Sequence, residues 1–154
     1  MIRLIEAEND YVIELNEDMS IIDNICESFT EDELNMLSVD GNYTHGWDRS
    51  VVVSFVLYVG NDPASFCDVW RTNDKLFSLA CGTKPEYRGN GYAKLVCEQA
   101  IDWCFENKDD IVENIDWLVN KKNSKSIELA KELGFEYLGT STTDKDWEFY
   151  TMEL

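Results

Sequence analysis

The chain has 154 residues and a formal charge of -18 at pH 7, a length that fits one domain across residues 1–154 with a substantial core. Its apolar fraction of 44% and aromatic fraction of 12% offer enough surface to offset chain entropy, which excludes a disordered polymer. The acid excess excludes a nucleic-acid binder, which needs clustered Lys and Arg against phosphates.

No stretch nears the roughly 18 apolar residues of a membrane helix, and "MIRLIEAEND" lacks the basic-then-apolar order of a leader. A soluble, cytoplasmic protein is expected. Cys26, Cys67, Cys81, Cys97 and Cys104 are odd in number and form no CxxC pair, so they read as reduced core thiols, with neither a disulfide framework nor a metal site.

In chain order, "IRLIEA" suits a short strand. From Tyr11 to Leu37 there is no Gly or Pro, and Val12, Leu15, Met19, Ile22, Ile25, Cys26 and Phe29 recur near helical spacing, predicting two helices broken near Ser28 to Glu31. "VVVSFVLYV" (51–59), "ASFCDVW" (64–70) and "KLFSLACGT" (75–83) are β-branched and aromatic, separated by the turn compositions "GNDP" and "RTND"; they predict an antiparallel meander. "PEYRGNGYA" follows, then a helix with Ala93, Val96, Cys97, Ala100, Ile101 and Cys104 on one face. "ENIDWLVN" predicts a strand, "NSKSIELAKELGF" a helix capped by Asn123 or Ser124 and ended by Gly134, and "FEYLGTS" and "DWEFYTMEL" two final strands. Strand, helix, strand between Lys75 and Asn120 requires a right-handed crossover and a parallel pair in an otherwise antiparallel sheet.

The stretch 85–93 has the chemistry of an anion site. Amides at a helix N-terminus lack intrahelical partners, Gly89 and Gly91 admit a close ligand, Ala93 keeps the first turn thin and Arg88 adds charge. It is neither a GxxxxGK[ST] loop nor a GxGxxG dinucleotide fingerprint. A Gly-containing turn ahead of a helix is the plain structural alternative. Charge is also uneven: residues 1–70 hold fifteen carboxylates against Arg3 and Arg49, either a solvated acidic surface or a face that attracts cations.

"RGNGYA" resembles the R/Q-x-x-G-x-G/A signature of the GNAT acyltransferase superfamily, and "NSKSIELAKELGF" resembles its second signature, an Asn leading a helix that ends in Gly-Phe. The likeness runs from about Val51 onward and is nearest in pattern to the ribosomal-protein N-terminal acetyltransferase branch. It implies an α/β (α+β) fold: one mixed, mostly antiparallel sheet of about six to seven strands, flanked by about four helices, with a central parallel pair splayed around coenzyme A. It further implies acetyl-CoA as co-substrate, no metal, pyrophosphate on the backbone from Arg88 through Gly89, Asn90, Gly91 and Tyr92 to Ala93, and a pantetheine arm pairing like a strand beside Cys81, Gly82 and Thr83. Asn123 matches the Asn that contacts the pantetheine or acyl end, and equally suits an ordinary helix cap.

The family's usual acid, a Tyr seven residues after that Asn, is Ala130 here, and the common strand Glu ten residues before the Arg is Ser78. Ser126 matches the Ser that serves the thiolate in the ribosomal-protein branch, or is a plain first-turn residue. His45, the sole histidine, falls in a region that borders the family's acceptor site and suits proton transfer; Asp68 and Tyr150 are further candidates, and Cys81 as an acyl-accepting nucleophile is another. The expected activity is direct acetyl transfer to a primary amine of a cationic acceptor: a polyamine, an aminoglycoside, or a Lys or N-terminal amine of a protein, with Tyr43 and Trp47 available to stack on cations. A non-catalytic acyl-CoA-binding module and an acidic interaction module stand as alternatives. Dimers are common in the family, and the terminal strands offer an edge through which a homodimer can pair.

Overall fold

The computed structural model describes residues 10–37 and 51–154; "IRLIEA", Tyr43, His45 and Trp47 lie outside them. Among the described residues, seven strands and four α-helices follow one another as β1 (Tyr11–Leu15), α1 (Met19–Cys26), α2 (Glu31–Asn35), β2 (Val51–Val59), β3 (Asp62–Asn73), β4 (Leu76–Thr83), α3 (Tyr92–Asn107), β5 (Asn114–Asn120), α4 (Ser124–Leu133), β6 (Glu136–Thr140) and β7 (Trp147–Glu153). A 3₁₀ turn over Pro85–Tyr87 precedes α3. The strands form one sheet in the order β1-β2-β3-β4-β5-β7-β6, antiparallel throughout except for β4 and β5. This is the mixed sheet with a parallel pair that the sequence predicts.

The meander, the helix after "PEYRGNGYA" and the closing strands fall where expected. One expectation fails: Tyr11–Leu15 is a strand, not the start of a helix. It pairs antiparallel with β2 from Tyr11 opposite Val59 to Leu15 opposite Phe55, so a ladder supplied from far along the chain overrides an ambiguous local period. The helix begins only at Asp18, whose carboxylate accepts from Ser20 N at 3.0 Å.

Strand alternation divides the core into two layers. On one face Leu57, Cys67, Val69, Phe77, Leu79, Ile115, Trp117 and Val119 meet the buried side of α3 (Val96, Cys97, Ala100, Ile101, Cys104) and Ala130 of α4. On the other, Val56 and Phe66 meet Ile22, Ile25 and Cys26 of α1. The cysteines are free thiols, four of them buried. No helix among the described residues is long and apolar enough to cross a membrane.

Two features shape the sheet around the end of β4. The parallel pairing of β4 and β5 lasts three rungs, Leu76 with Asn114, Phe77 with Ile115 and Ser78 with Asp116; beyond these the strands share no rung, leaving a wedge between Leu79–Thr83 and Trp117–Asn120. The turn after β4 is clamped to the start of β3: buried Lys84 donates to Asp62 Oδ1 at 2.8 Å and Tyr87 donates to Asp62 Oδ2 at 2.6 Å. These bonds hold the Asp62 carboxyl below its ordinary pKa, the Lys84 bond foremost.

The corner between α1 and α2 packs directly on the β4 backbone. A Cβ built at Gly82 lies 2.8 Å from Phe66 Cε1 and 3.0 Å from the Phe29 ring, and Phe66 is fully buried, so little can yield. Gly82→Ala is expected to cost about 1–3 kcal/mol through overpacking. In thermal denaturation that lowers the melting temperature by roughly 2–4 °C per kcal/mol for a chain of this size.

Candidate active site

A groove of about 660 Å³ opens beside the wedge. One wall is β4 from Cys81 to Thr83 and the turn into α3 (Arg88, Gly89, Gly91, Tyr92, Ala93); a second is α4 with Asn123 and Ser126; the third is Phe29, Met36 and Leu37 from the α1–α2 segment. Nine of the ten predicted coenzyme-binding residues therefore line one concavity. Asn90 does not: its side-chain amide turns back to donate to the Tyr87 carbonyl at 2.9 Å. His45 lies outside the described residues.

The turn has the geometry its glycines permit. Gly89 and Gly91 have φ of 85° and 77°, in the left-handed region, and a Cβ at either meets nothing within 4 Å, so the space over the backbone is open. Gly91 caps α3 with no side chain of its own to satisfy the first-turn amides, which are free to receive an anion along the helix dipole. On β4, Leu79–Thr83 have no rung to β5, an open strand edge of the kind an extended ligand can extend. The Gly82 carbonyl accepts from Ser65 Oγ at 3.0 Å and the Thr83 carbonyl from Arg88 Nε at 3.1 Å.

Arg88 is more occupied than its place in the signature suggests. Its guanidinium also pairs with Glu33 of α2 and stacks over the Phe29 ring at 5.3 Å. Glu33 serves two ends: Oε1 accepts from Thr30 N at 2.9 Å, closing a capping box, while Oε2 meets Arg88. The Thr30 bond chiefly, with Arg88 adding to it, lowers the Glu33 pKa. The cation that Glu33 meets lies 55 residues along the chain.

On α4, the Asn123 side-chain Oδ1 accepts from Ser126 N at 3.2 Å, so its role as helix cap is realised, and the residue also lines the groove. Ser126 Oγ accepts from Trp117 Nε1 at 3.1 Å. An indole N–H only donates, so the Ser126 hydroxyl hydrogen stays available to a second partner. Ala130 is fully buried in the core and absent from the groove wall.

Asp68 and Tyr150 do not line the groove. Asp68 is fully buried and accepts from Ser54 Oγ, and Tyr150 is buried in the core with its phenol pKa raised by burial first. Cys81 does border the groove, but a hydrogen bond with Cys97, and then burial, push its thiol well above the ordinary range; it stays protonated and is a poor nucleophile.

A residue that sequence reasoning misses is Asp116. It stands in the apolar run "NIDWLVN" of β5, is 7% exposed, and its Oδ1 has no hydrogen-bond partner among the described residues. Burial raises its pKa, against an opposing bond from Thr151. The available signal is a single carboxylate inside an otherwise apolar strand.

A sequence model of the Acetyltransferase (GNAT) family matches residues 15–135. The chain belongs to this family. No curated protein matches the GNAT chain in sequence. Solved structures with the same fold include an acetyltransferase of the GNAT family from Streptococcus pneumoniae (15% identity, TM-score 0.68, covering 94% of this chain and 99% of that one). The ribosomal-protein-S18-alanine N-acetyltransferase from Escherichia coli is 16% identical, with TM-score 0.68 and 93% of each chain covered. The spermidine N-acetyltransferase from Vibrio cholerae, solved with CoA and spermine, is 17% identical, with TM-score 0.70 over 94% of this chain and 96% of that one. At these identities the likeness speaks for the fold.

The family's co-substrate fits this groove by its own geometry: open space above two left-handed glycines, uncapped helix amides and a free strand edge. Glu33→Gln removes a carboxylate from the groove and releases Arg88 while keeping a side chain able to close the capping box. Its expected effect, read by isothermal titration calorimetry, is acetyl-CoA binding tighter by about twofold to fivefold, the scale of one partly exposed ion pair.

Proposed function

We propose that this GNAT protein transfers an acetyl group directly from acetyl-CoA to a primary amine of a cationic acceptor, a polyamine, an aminoglycoside or a Lys or N-terminal amine of a protein. The observation that carries the reading is the juxtaposition of the Gly89–Gly91 turn, the open edge of β4 and the Ser126 hydroxyl around one groove. Backbone amides from Arg88 to Ala93 would hold the pyrophosphate, with Lys94 and Lys125 on the wall as further cations. The Cys81–Thr83 edge and the Asn123 amide would hold the pantetheine. Acetyl-CoA supplies an acyl group already activated as a thioester.

The chain's own groups then divide the work. Amides of β4 near Leu79 and Cys81 are suited to polarise a carbonyl that gains negative charge. Ser126, its oxygen held by the Trp117 indole, passes its hydroxyl proton toward the departing sulfur and regains one from the attacking nitrogen as the amide forms, in place of the absent Tyr at Ala130. The acceptor's charge is argued from residues 10–37, which carry nine carboxylates and no Lys or Arg; such a field concentrates cations at the face α1 and α2 cover. Among the structural neighbours are both a polyamine and a ribosomal-protein acetyltransferase.

Purified protein is incubated with acetyl-CoA and a panel of polyamines, aminoglycosides and basic peptides, and products are read by mass spectrometry. One acetylated acceptor class is expected. Ser126→Ala should then lower kcat by about 10²-fold, the usual weight of a positioned proton donor, with KM for acetyl-CoA within about twofold because uniform binding is untouched. Acetyl-CoA binding with no product on any amine would instead favour the non-catalytic module.

A further inference from the structure

Asp116 closes the apex of the wedge. It forms the last rung between β5 and β4, opposite Ser78, and pairs on its other side with Thr151 of β7. Its neighbours Ile115 and Trp117 point into the core beneath α3 and α4, so strand alternation places the Asp116 side chain on the face that α1 and α2 cover. A buried carboxylate oxygen without a partner is costly, and a fold that keeps one calls for a ligand or a chemical role. The carboxylate also stands directly across the rung from Ser78.

We propose that Asp116 receives the acceptor's ammonium group at the apex of the wedge and takes its proton before acyl transfer. This rests on the acetyltransferase reading of the groove. In the step, one N–H bond of the ammonium breaks, its electron pair stays on nitrogen as the nucleophilic lone pair, and the proton passes to Asp116 Oδ1. It returns to water when the product leaves. In bulk water a lysine-like amine and an aspartate differ by about 6 pKa units. A desolvated pocket lowers the amine and raises the carboxyl, so the gap narrows from both sides.

The groups around Asp116 leave it as the titrating member. Ser78 on β4 and Thr151 on β7 do not ionise in this range. Glu153 on β7 and Glu136 on β6 are exposed, and Asp68 on β3, Tyr58 on β2 and Cys26 on α1 lie further across the same face. The influences that shift Asp116 are its burial and the Thr151 hydroxyl.

A carboxyl whose pKa is raised by folding contributes most to stability below its unfolded value of about 3.9, and that contribution is lost as pH rises through the folded value. Charge on Asp116, buried and with Oδ1 unpaired, therefore works against the ligand-free fold as pH rises. Asp116→Asn should melt at a higher temperature than the wild type at pH 7, with the difference shrinking below about pH 4. A carboxylate with a purely structural partner would give the opposite sign.

The same variant is assayed with acetyl-CoA and the best alkylamine acceptor from pH 6 to 10. At pH 7 kcat/KM is expected to fall by about 10²-fold or more, the weight of a general base. The deficit should shrink steadily as the amine deprotonates on its own toward pH 10. A deficit constant with pH, no deficit, or a lower melting temperature at pH 7 would overturn the proposal. Where Asp116→Asn does not fold, the wild-type profile decides: kcat at saturating amine, followed from pH 4 upward, must show an acid limb whose midpoint lies above the ordinary Asp value of about 3.9, and a profile without it overturns the proposal. Absence of product from the wild type on every amine overturns the acetyltransferase reading itself, and this inference with it.

Discussion

The whole arrangement depends on where β4 and β5 stop pairing. Three rungs hold them side by side, enough to join the antiparallel meander to β5, β7 and β6 in one sheet. Beyond Ser78 and Asp116 each strand keeps its outer ladder, β4 on β3 and β5 on β7, and surrenders the inner one. A sheet interior normally satisfies every backbone group. Here a stretch of strand edge in the middle of the sheet has no inner partner, and an extended molecule can pair with it.

Each wall of the groove is supplied by a different solution to that opening. The crossover from β4 to β5 must leave the strand at the wedge, so the α3 N-terminus and its amides arrive beside the open edge as a matter of connectivity. The return after β5 does the same for α4, which brings Asn123 and Ser126 to the opposite bank. The α1–α2 segment roofs the end of β4 through Phe29 over Gly82, and the Glu33–Arg88 pair ties that roof to the ligand turn.

Much of this was legible in the sequence because the signals were local. The two-residue period of 51–59, the helical face from Ala93 to Cys104, Asn123 as cap and Gly134 as terminator need only neighbouring residues to be read, and the two motifs fix the order of elements between them. What escaped was non-local. Tyr11–Leu15 is a strand because of a ladder to the distant run Phe55–Val59, and Arg88 meets Glu33 only once α2 folds over β4. Asp116 was hidden differently: a carboxylate in an apolar strand has no meaning until it is known which face it takes and that its rung is the last.

The clamp that joins Lys84 and Tyr87 to Asp62 bears on affinity as well as on shape. A glycine-rich turn left to itself samples many conformations, and a ligand that had to select one would lose binding free energy to ordering it. Here the residues just ahead of the two glycines are pinned to β3, and the residues just after them are already helical. The intervening amides are consequently held in a preorganised array, so that association draws little on conformational entropy, and glycine provides room for the ligand without bringing looseness to the site.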